Sequence, residues 1–389
     1  MERIYLDHSA TTPLRAEVLA AMDPWLRGVP SNATSAHSFG RDAREAIEQA
    51  RDQVAALIGS QPREVFFTSG GTESNNTAVF GLWEAARAEG RTHIVVSAIE
   101  HHAVLHAAEW LAANRGAALT VVSPDANGRI STEAMRAAIT PKTALACLMY
   151  ANNETGVIQP VDEVAASCVD AGIPVHCDAV QCTGKTVLDT AATPVSMLAL
   201  SAHKAYGPQG IGACFIRRGT LFEPVTLGGA QERGRRAGTE NVAGIVGLGA
   251  ACALAAAERA EETTRLAALR DAFEASVLVE ISGTRVNGAA TPRLPHITNI
   301  AFEGLEAETL LQALDLEGIA VSTGAACTSG SVEASHVLLS MGQSHSEARS
   351  ALRFSLGRGT TESQLDRVRT YLREVVARLR SADPLTPAS

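Results

Sequence analysis

Between residues 60 and 220 short apolar runs alternate with amphipathic stretches, and this alternation constrains the fold more than any other feature of the chain. The runs "EVFFTS", "HIVVSA", "ALTVVS", "TALACLMY", "PVHCD", "SMLALSA" and "GACFIRR" read as buried strands. Between them lie a helix opened by "GGTES" and running to about Ala88, a second near 103–113, and "VDEVAASCVDAG", which a glycine closes. Continuous apolar runs suit strands covered on both faces. Strands alternating with helices of this length build βαβ units around a mostly parallel sheet. The expected fold is α/β, with a mostly parallel seven-stranded sheet in a large domain.

Upstream, Ala43, Ala46, Ile47, Ala50, Val54, Leu57 and Ile58 recur at helical spacing, and Gly59 stops them. Downstream comes a long helical stretch at about 240–275. The tail ("HITNIAFEG", "ETLLQALDLEG", "IAVSTG", "ALRFSLG" and "TESQLDRVRTYLREVVARLR") reads as a smaller α+β unit. The expected boundaries assign 15–256 to the large domain, and 1–14 with 257–389 to the small one.

Hydrophobic residues are 46% of the chain but aromatics only 4%, so aliphatic side chains and alanine must fill the interior. The net charge of −9 argues against direct nucleic-acid binding as the main task; "RGRR" at 233–236 is the one basic candidate. The seven cysteines are odd in number and form no CxxC, as expected of free thiols in a reducing compartment. "MERIYLDHSATTP" lacks the apolar core of a signal peptide, and the alanine-rich 242–257 is too short to span a membrane. The expectation is a cytoplasmic protein without a membrane partner.

Ligands of open parallel sheets bind at the carboxyl ends of the strands, and reactive residues gather there in this chain. Thr68-Ser69-Gly70-Gly71-Thr72 can cradle a phosphate at a helix N-terminus, or make an ordinary cap with a tight turn. Glu100-His101-His102 offers a ring that can stack on a flat cofactor or move protons, or a pair of polar loop histidines. Asn152-Asn153 can bond a ring substituent or form a turn. Asp178, with Gln181 three residues on, can pair with a protonated heteroaromatic nitrogen. The rival there is a metal site of His176, Cys177, Asp178 and Cys182; strand geometry weakens it, because His176 and Asp178 face one side and Cys177 the other. Ser201-Ala202-His203-Lys204, followed by a Gly/Pro-rich turn, holds a lysine suited to a Schiff base.

Together these residues supply what pyridoxal phosphate requires. The chain resembles the cysteine desulfurases, in the class V branch of the fold-type I pyridoxal-phosphate transferases. The matching stretches run nearly end to end: "YLDHSATTP", "FTSGGTESNN", "EHHAVL", "NNETGVIQPV", "CDAVQ", "SAHKAYGPQGIG", "QERGRRAGTEN", "GAACTSGS" and "RFSLGRGTT". The resemblance implies that Lys204 carries the cofactor, Asp178 pairs with its ring nitrogen, Gln181 bonds its ring hydroxyl, and His101 stacks on it. Gly71, Thr72, Ser201 and His203 would hold its phosphate, with Thr239 reaching the phosphate of the partner subunit in a homodimer. Asn153 and Arg353 would hold the substrate, and Cys327 would accept its sulfur.

The activity so implied converts L-cysteine to L-alanine and leaves a persulfide on Cys327. That persulfide would pass to a sulfur-acceptor protein serving iron–sulfur cluster assembly, tRNA thiolation or DNA phosphorothioation. No resident metal is implied. The rivals are a selenocysteine lyase, another class V enzyme, and a non-catalytic scaffold; Lys204, Asp178 and Cys327 argue against the last. One departure from the family pattern is "SNATSAH", ending at His37, which puts that loop's place at the substrate side in question. "RGRR" becomes a loop at the active site or dimer interface. "IAVSTG" reads as a strand leading directly toward Cys327.

Overall fold

The structure, a computed structural model, describes residues 3–28, 30, 32–324 and 334–382. Seven strands form one sheet in the spatial order Val65–Thr68, Gly212–Ile216, Met197–Ser201, Val175–Asp178, Thr143–Cys147, His93–Ser97 and Ala118–Val122. All run parallel except Gly212–Ile216, which is antiparallel to both of its neighbours. Successive strand side chains enter different cores, as the period of two requires. Phe66, Ile94, Val96, Cys147 and Cys214 pack under the helices Gly71–Arg87 and His102–Arg115. Phe67, Val95, Ala146, Cys177 and Phe215 pack on the other face with residues of Ser38–Leu57 and Val161–Val169. Burial on both faces of six of the seven strands explains why they read as continuous apolar runs, while the edge strand Ala118–Val122 is partly exposed.

A 39-residue helix, Val242–Glu280, crosses from this layer to a second core. Its length and composition would suffice to cross a membrane, but Val242, Ile245, Leu248 and Cys252 are buried in the main core. The second core gathers Leu266, Phe273, Ile300, Phe302, Leu352, Phe354, Val368 and Leu372. Its antiparallel sheet orders Ala351–Ser355, Ile297–Phe302 and Thr284–Val286, and the helix Glu362–Ala382 contributes Val368 and Leu372 to its covering.

Ile4 and Leu6 are buried in that same core. Ile4–Tyr5 pairs in parallel with Ile319–Ala320. The strand expected over "IAVSTG" is thus only two residues long, followed by a bridge between Ser322 and Arg353. Cys327 lies outside the described residues. Among the described residues four short α-helices escaped the sequence reading: Ala16–Leu26, Thr132–Ala138, His336–Ser340 and His345–Arg349.

Candidate active site

The carboxyl ends of the strands open into a cavity of about 480 Å3. Its wall includes Gly71, Thr72, His101, Asn153, Asp178, Gln181, Ser201, His203, Lys204 and Arg353. The structure therefore brings together ten of the twelve residues singled out from the sequence. Thr239 is exposed and is not part of this wall, and Cys327 lies outside the described residues. Val321, Ser322, Thr323 and Gly324 complete one side.

Asp178 ends its strand and is 6% exposed. Its Oδ1 accepts the Val180 N–H at 2.9 Å, and its Oδ2 accepts from Asn75 Nδ2 at 2.6 Å. Asn75 Oδ1 in turn faces His176 Nε2 at 2.8 Å. Burial pushes the His176 pKa down to about 4, so the ring is neutral and donates through Nε2. This His176–Asn75–Asp178 chain fixes the carboxylate plane. It also confirms that His176 and Asp178 share a side, while Cys177 and Cys182 lie in the core cluster beyond. Among the described residues no group of three His, Cys, Asp or Glu side chains is arranged to hold a metal ion. Asn75 was missed from the sequence, although it stands one helical turn after Gly71 and Thr72 and so shares their face.

Lys204 closes a short 3-10 turn after Met197–Ser201. Its Nζ donates to the carbonyls of Ser9 at 2.5 Å and Ala10 at 2.7 Å. Burial, assisted by the Arg353 charge, lowers its pKa to about 8, while Asp7 and Asp178 oppose the shift. A lysine that sheds its proton this near neutrality is a competent amine nucleophile and base. The segment carrying those carbonyls is pinned repeatedly. Gln181 Nε2 donates to Ser9 O at 2.9 Å, Thr12 Oγ1 donates to His203 O at 2.8 Å, and Tyr206 N donates to Thr12 Oγ1 at 2.7 Å. Ser9 and Ala10 went unnoticed in the sequence because they act through backbone carbonyls, which carry no side-chain signature.

Arg353 is 5% exposed. Its Nη2 donates to Asp7 Oδ1 at 2.8 Å and its Nη1 to Asn153 O at 2.9 Å, while its buried Nε has no partner among the described residues. His101 caps the helix His102–Arg115, its Nδ1 accepting the Ala103 N–H at 3.0 Å, which leaves the ring proton on Nε2. His203 is pushed down to about 4, first by burial and then by Lys204, and its Nδ1 lies 3.2 Å from Thr11 Oγ1. Asn152 takes the turn-forming role: its Oδ1 accepts from the N–H groups of Glu154 and Thr155.

The class-V aminotransferase family model matches residues 4–368. A cysteine desulfurase of Gluconacetobacter diazotrophicus is 45% identical over 385 residues, 99% of this chain and 96% of that protein. The chain belongs to the cysteine desulfurases of the class-V aminotransferase family. Among solved structures, a NifS-like protein matches with a TM-score of 0.89 at 34% identity, covering 97% of this chain and all of the other. A second, SspA in complex with cysteine, matches with a TM-score of 0.80 at 34% identity, covering 91% of this chain and 98% of that one.

Within this desulfurase fold the two doubtful loops take definite places. His37 caps the helix Ser38–Leu57, its Nδ1 accepting from Gly40 N, and is not among the residues lining the cavity. The "RGRR" loop is held by ion pairs. Arg236 pairs with Glu73 at 2.8 Å, and the preceding Glu232 pairs with buried Arg51 at 2.7 Å. Glu232 and Arg233 both have positive φ, 47° and 60°, a strained conformation these pairs help to hold.

Proposed function

We propose that this chain is a pyridoxal-phosphate-dependent cysteine desulfurase: L-cysteine and the Cys327 thiol give L-alanine and a Cys327 persulfide. One observation carries the reading. Lys204, Asp178 and Arg353 line one cavity at the carboxyl ends of the strands, with Ser322, Thr323 and Gly324 in the same wall.

The residues present fit the cofactor. The helix Gly71–Arg87 directs free N–H groups at the cavity from a backbone where a Cβ on Gly71 would press Val180 Cγ2 at 2.7 Å. Two buried polar atoms in the wall residues, Ser9 Oγ and Arg353 Nε, have no partner among the described residues, as expected where a ligand completes the bonding. Bound there, pyridoxal phosphate supplies a carbonyl that condenses with amines and a ring that draws electrons from Cα. Lys204 would hold it through Nζ, Asp178 its ring nitrogen and Gln181 its ring hydroxyl, with His101 stacked above. Gly71, Thr72, Ser201 and His203 would cradle its phosphate, joined by Thr239 of a second copy.

Arg353 orients the substrate carboxylate through its unused donors, beside Asn153. Lys204, as free amine, takes the Cα proton. The Cys327 thiolate attacks the substrate sulfur. A sulfur–sulfur bond forms as the Cβ–S bond breaks, and the electron pair stays with the carbon skeleton that leaves as alanine. His101, on the cavity wall, would manage the thiol protons.

Several further proposals accompany this one. The cysteine-bound SspA supports L-cysteine as substrate. Exposed Leu221, Val225 and Leu227, the last 82% exposed, lie in the stretch before the Thr239 loop and suit a homodimer face. The second core, which joins Ile4 and Leu6 to residues between Leu266 and Val376, supports a division into 15–256 and 1–14 with 257–389, with Leu294, Ile297, Val337 and Leu338 packing back on the main core. The negative net charge favours a protein acceptor for the sulfur, in the cytoplasm.

The test is purified holoenzyme with L-cysteine. Alanine and transferred sulfur should appear in equal amounts, and Cys327→Ser should abolish both while keeping the cofactor absorbance. Alanine formed without sulfur transfer would sink the mechanism.

A further inference from the structure

Glu154 has no part in the chemistry above, yet it is a buried carboxyl at the meeting point of that chemistry's parts. It is 2% exposed and follows Asn153 in the turn tied by Asn152. Ser335 Oγ donates to Glu154 Oε2 at 2.5 Å. A Cβ added to Gly324 would lie 2.9 Å from the same oxygen, so the chain passes Glu154 at a separation suited to glycine, with φ at 84°. Gly324 and Ser335 bracket the segment 325–333, which carries Cys327.

The same turn reaches the arginine on the other side. Asn153 O accepts from Arg353 Nη1 at 2.9 Å. The Arg353 backbone is bridged to Ser322 in both directions, Arg353 N to Ser322 O at 2.6 Å and Ser322 N to Arg353 O at 3.2 Å. Ser322 Oγ then accepts from Gly324 N at 3.1 Å. From adjacent positions, Asn153 thus bonds the arginine side chain, while Glu154 bonds Ser335 beyond the cysteine-bearing segment and lies close against Gly324 before it.

We propose that Glu154 is a positioning residue for the sulfur-accepting step: through Gly324 and Ser335 it sets where the Cys327 segment leaves and re-enters the fold relative to Arg353. This rests on Cys327 being the acceptor. A buried carboxyl is tolerated when its oxygens are bonded, and here the bond goes to the segment's far end. Burial raises the Glu154 pKa and so favours its uncharged form; an amide of the same shape can therefore accept from Ser335 in its place.

The experiment compares holoenzymes carrying Glu154→Ala, Glu154→Gln and Ser335→Ala. Three quantities are read: the spectral change on titrating L-cysteine, alanine release in a single turnover, and the alkylation rate of Cys327 by iodoacetamide, located by peptide mass. Because a displacement of about 1 Å costs about 100-fold, Glu154→Ala should lower alanine release by about that factor and alter the alkylation rate. Its L-cysteine titration should stay close to that of the unaltered enzyme. Glu154→Gln should restore both release and alkylation.

Unchanged release and alkylation in Glu154→Ala overturn the proposal. So does a loss of L-cysteine binding that matches the loss of release. If Glu154→Ala does not fold, Ser335→Ala decides: release should fall with binding kept, and unchanged release overturns the proposal. Cys327→Ser separates the two readings. Full alanine formation in it defeats the acceptor assignment, whereas an inactive Cys327→Ser beside a normal Glu154→Ala defeats only the role of Glu154.

Discussion

Lys185 allows a quantitative test of how the two cores meet. It is 5% exposed, in a small cavity bounded by Tyr206, Ala251, Ala255 and Glu262. Its Nζ lies 4.6 Å from the centroid of the Tyr206 ring. Burial lowers its pKa from 10.5 to about 8, with Glu262 opposing. Between those two values the unfolded chain binds more protons than the folded one, so stability rises with pH across the window. The stability linked to this lysine is fully present above 10.5 and is lost as pH falls through about 8. At about 1.4 kcal/mol per pH unit the interval amounts to about 3 kcal/mol. Attraction of the charged form to the Tyr206 ring offsets about 1 kcal/mol, leaving about 2 kcal/mol. Tyr206 itself stays protonated, its pKa pushed up to about 12 by burial.

Lys185→Met keeps the shape and removes the proton. Urea denaturation of both holoenzymes at about pH 7 and about pH 11 should show the variant's relative advantage shrinking by about 2 kcal/mol. Every titration common to both proteins, that of Lys204 included, cancels in the comparison. A difference that stays constant within about 0.5 kcal/mol would refute the reasoning.

Gly212→Ala would place a Cβ 2.7 Å from both Gly70 C and Leu200 O, backbone atoms that cannot turn aside. It should cost about 2 kcal/mol or more and loosen cofactor retention, read as melting temperature and cofactor absorbance. Asp7→Asn removes a carboxylate that raises the Lys204 pKa. Lys204 should then lose its proton at lower pH than in the unaltered protein, measured by the pH dependence of its acylation in cofactor-free protein; an unshifted profile counts against the Asp7 contribution.

The large sheet was legible because all its strands but the edge strand Ala118–Val122 are buried on both faces, so apolar runs such as "HIVVSA" and "SMLALSA" stand out against their surroundings. Residues at the strand ends, Asp178 and Lys204 above all, could be read because a strand end is a position the sequence itself marks. Asp7, Ser9 and Ala10 could not be read that way. They come from a segment nearly 200 residues before Lys204, and two of them act through the backbone. Asn75 was hidden because its role depends on His176 across the sheet. The short helices Thr132–Ala138 and His345–Arg349 lack the length for a periodic signal, though Ser131 and Ser344 cap them.

The stitching of residues 4–12 across both cores bears on the order in which the enzyme is made. Leu6 O accepts from Ser355 N at 2.7 Å, His8 N donates to Ser355 O at 3.2 Å, and two residues later Ala10 O helps hold Lys204. The carbonyls that grip the lysine leave the ribosome early, but their anchor strand, Ala351–Ser355, emerges among the last elements. The large sheet can form during synthesis, while the lysine's surroundings are finished only afterwards. The lysine's surroundings therefore reach their final geometry only after translation, and a ribosome-stalled chain ending before residue 350 should carry the sheet without a completed site.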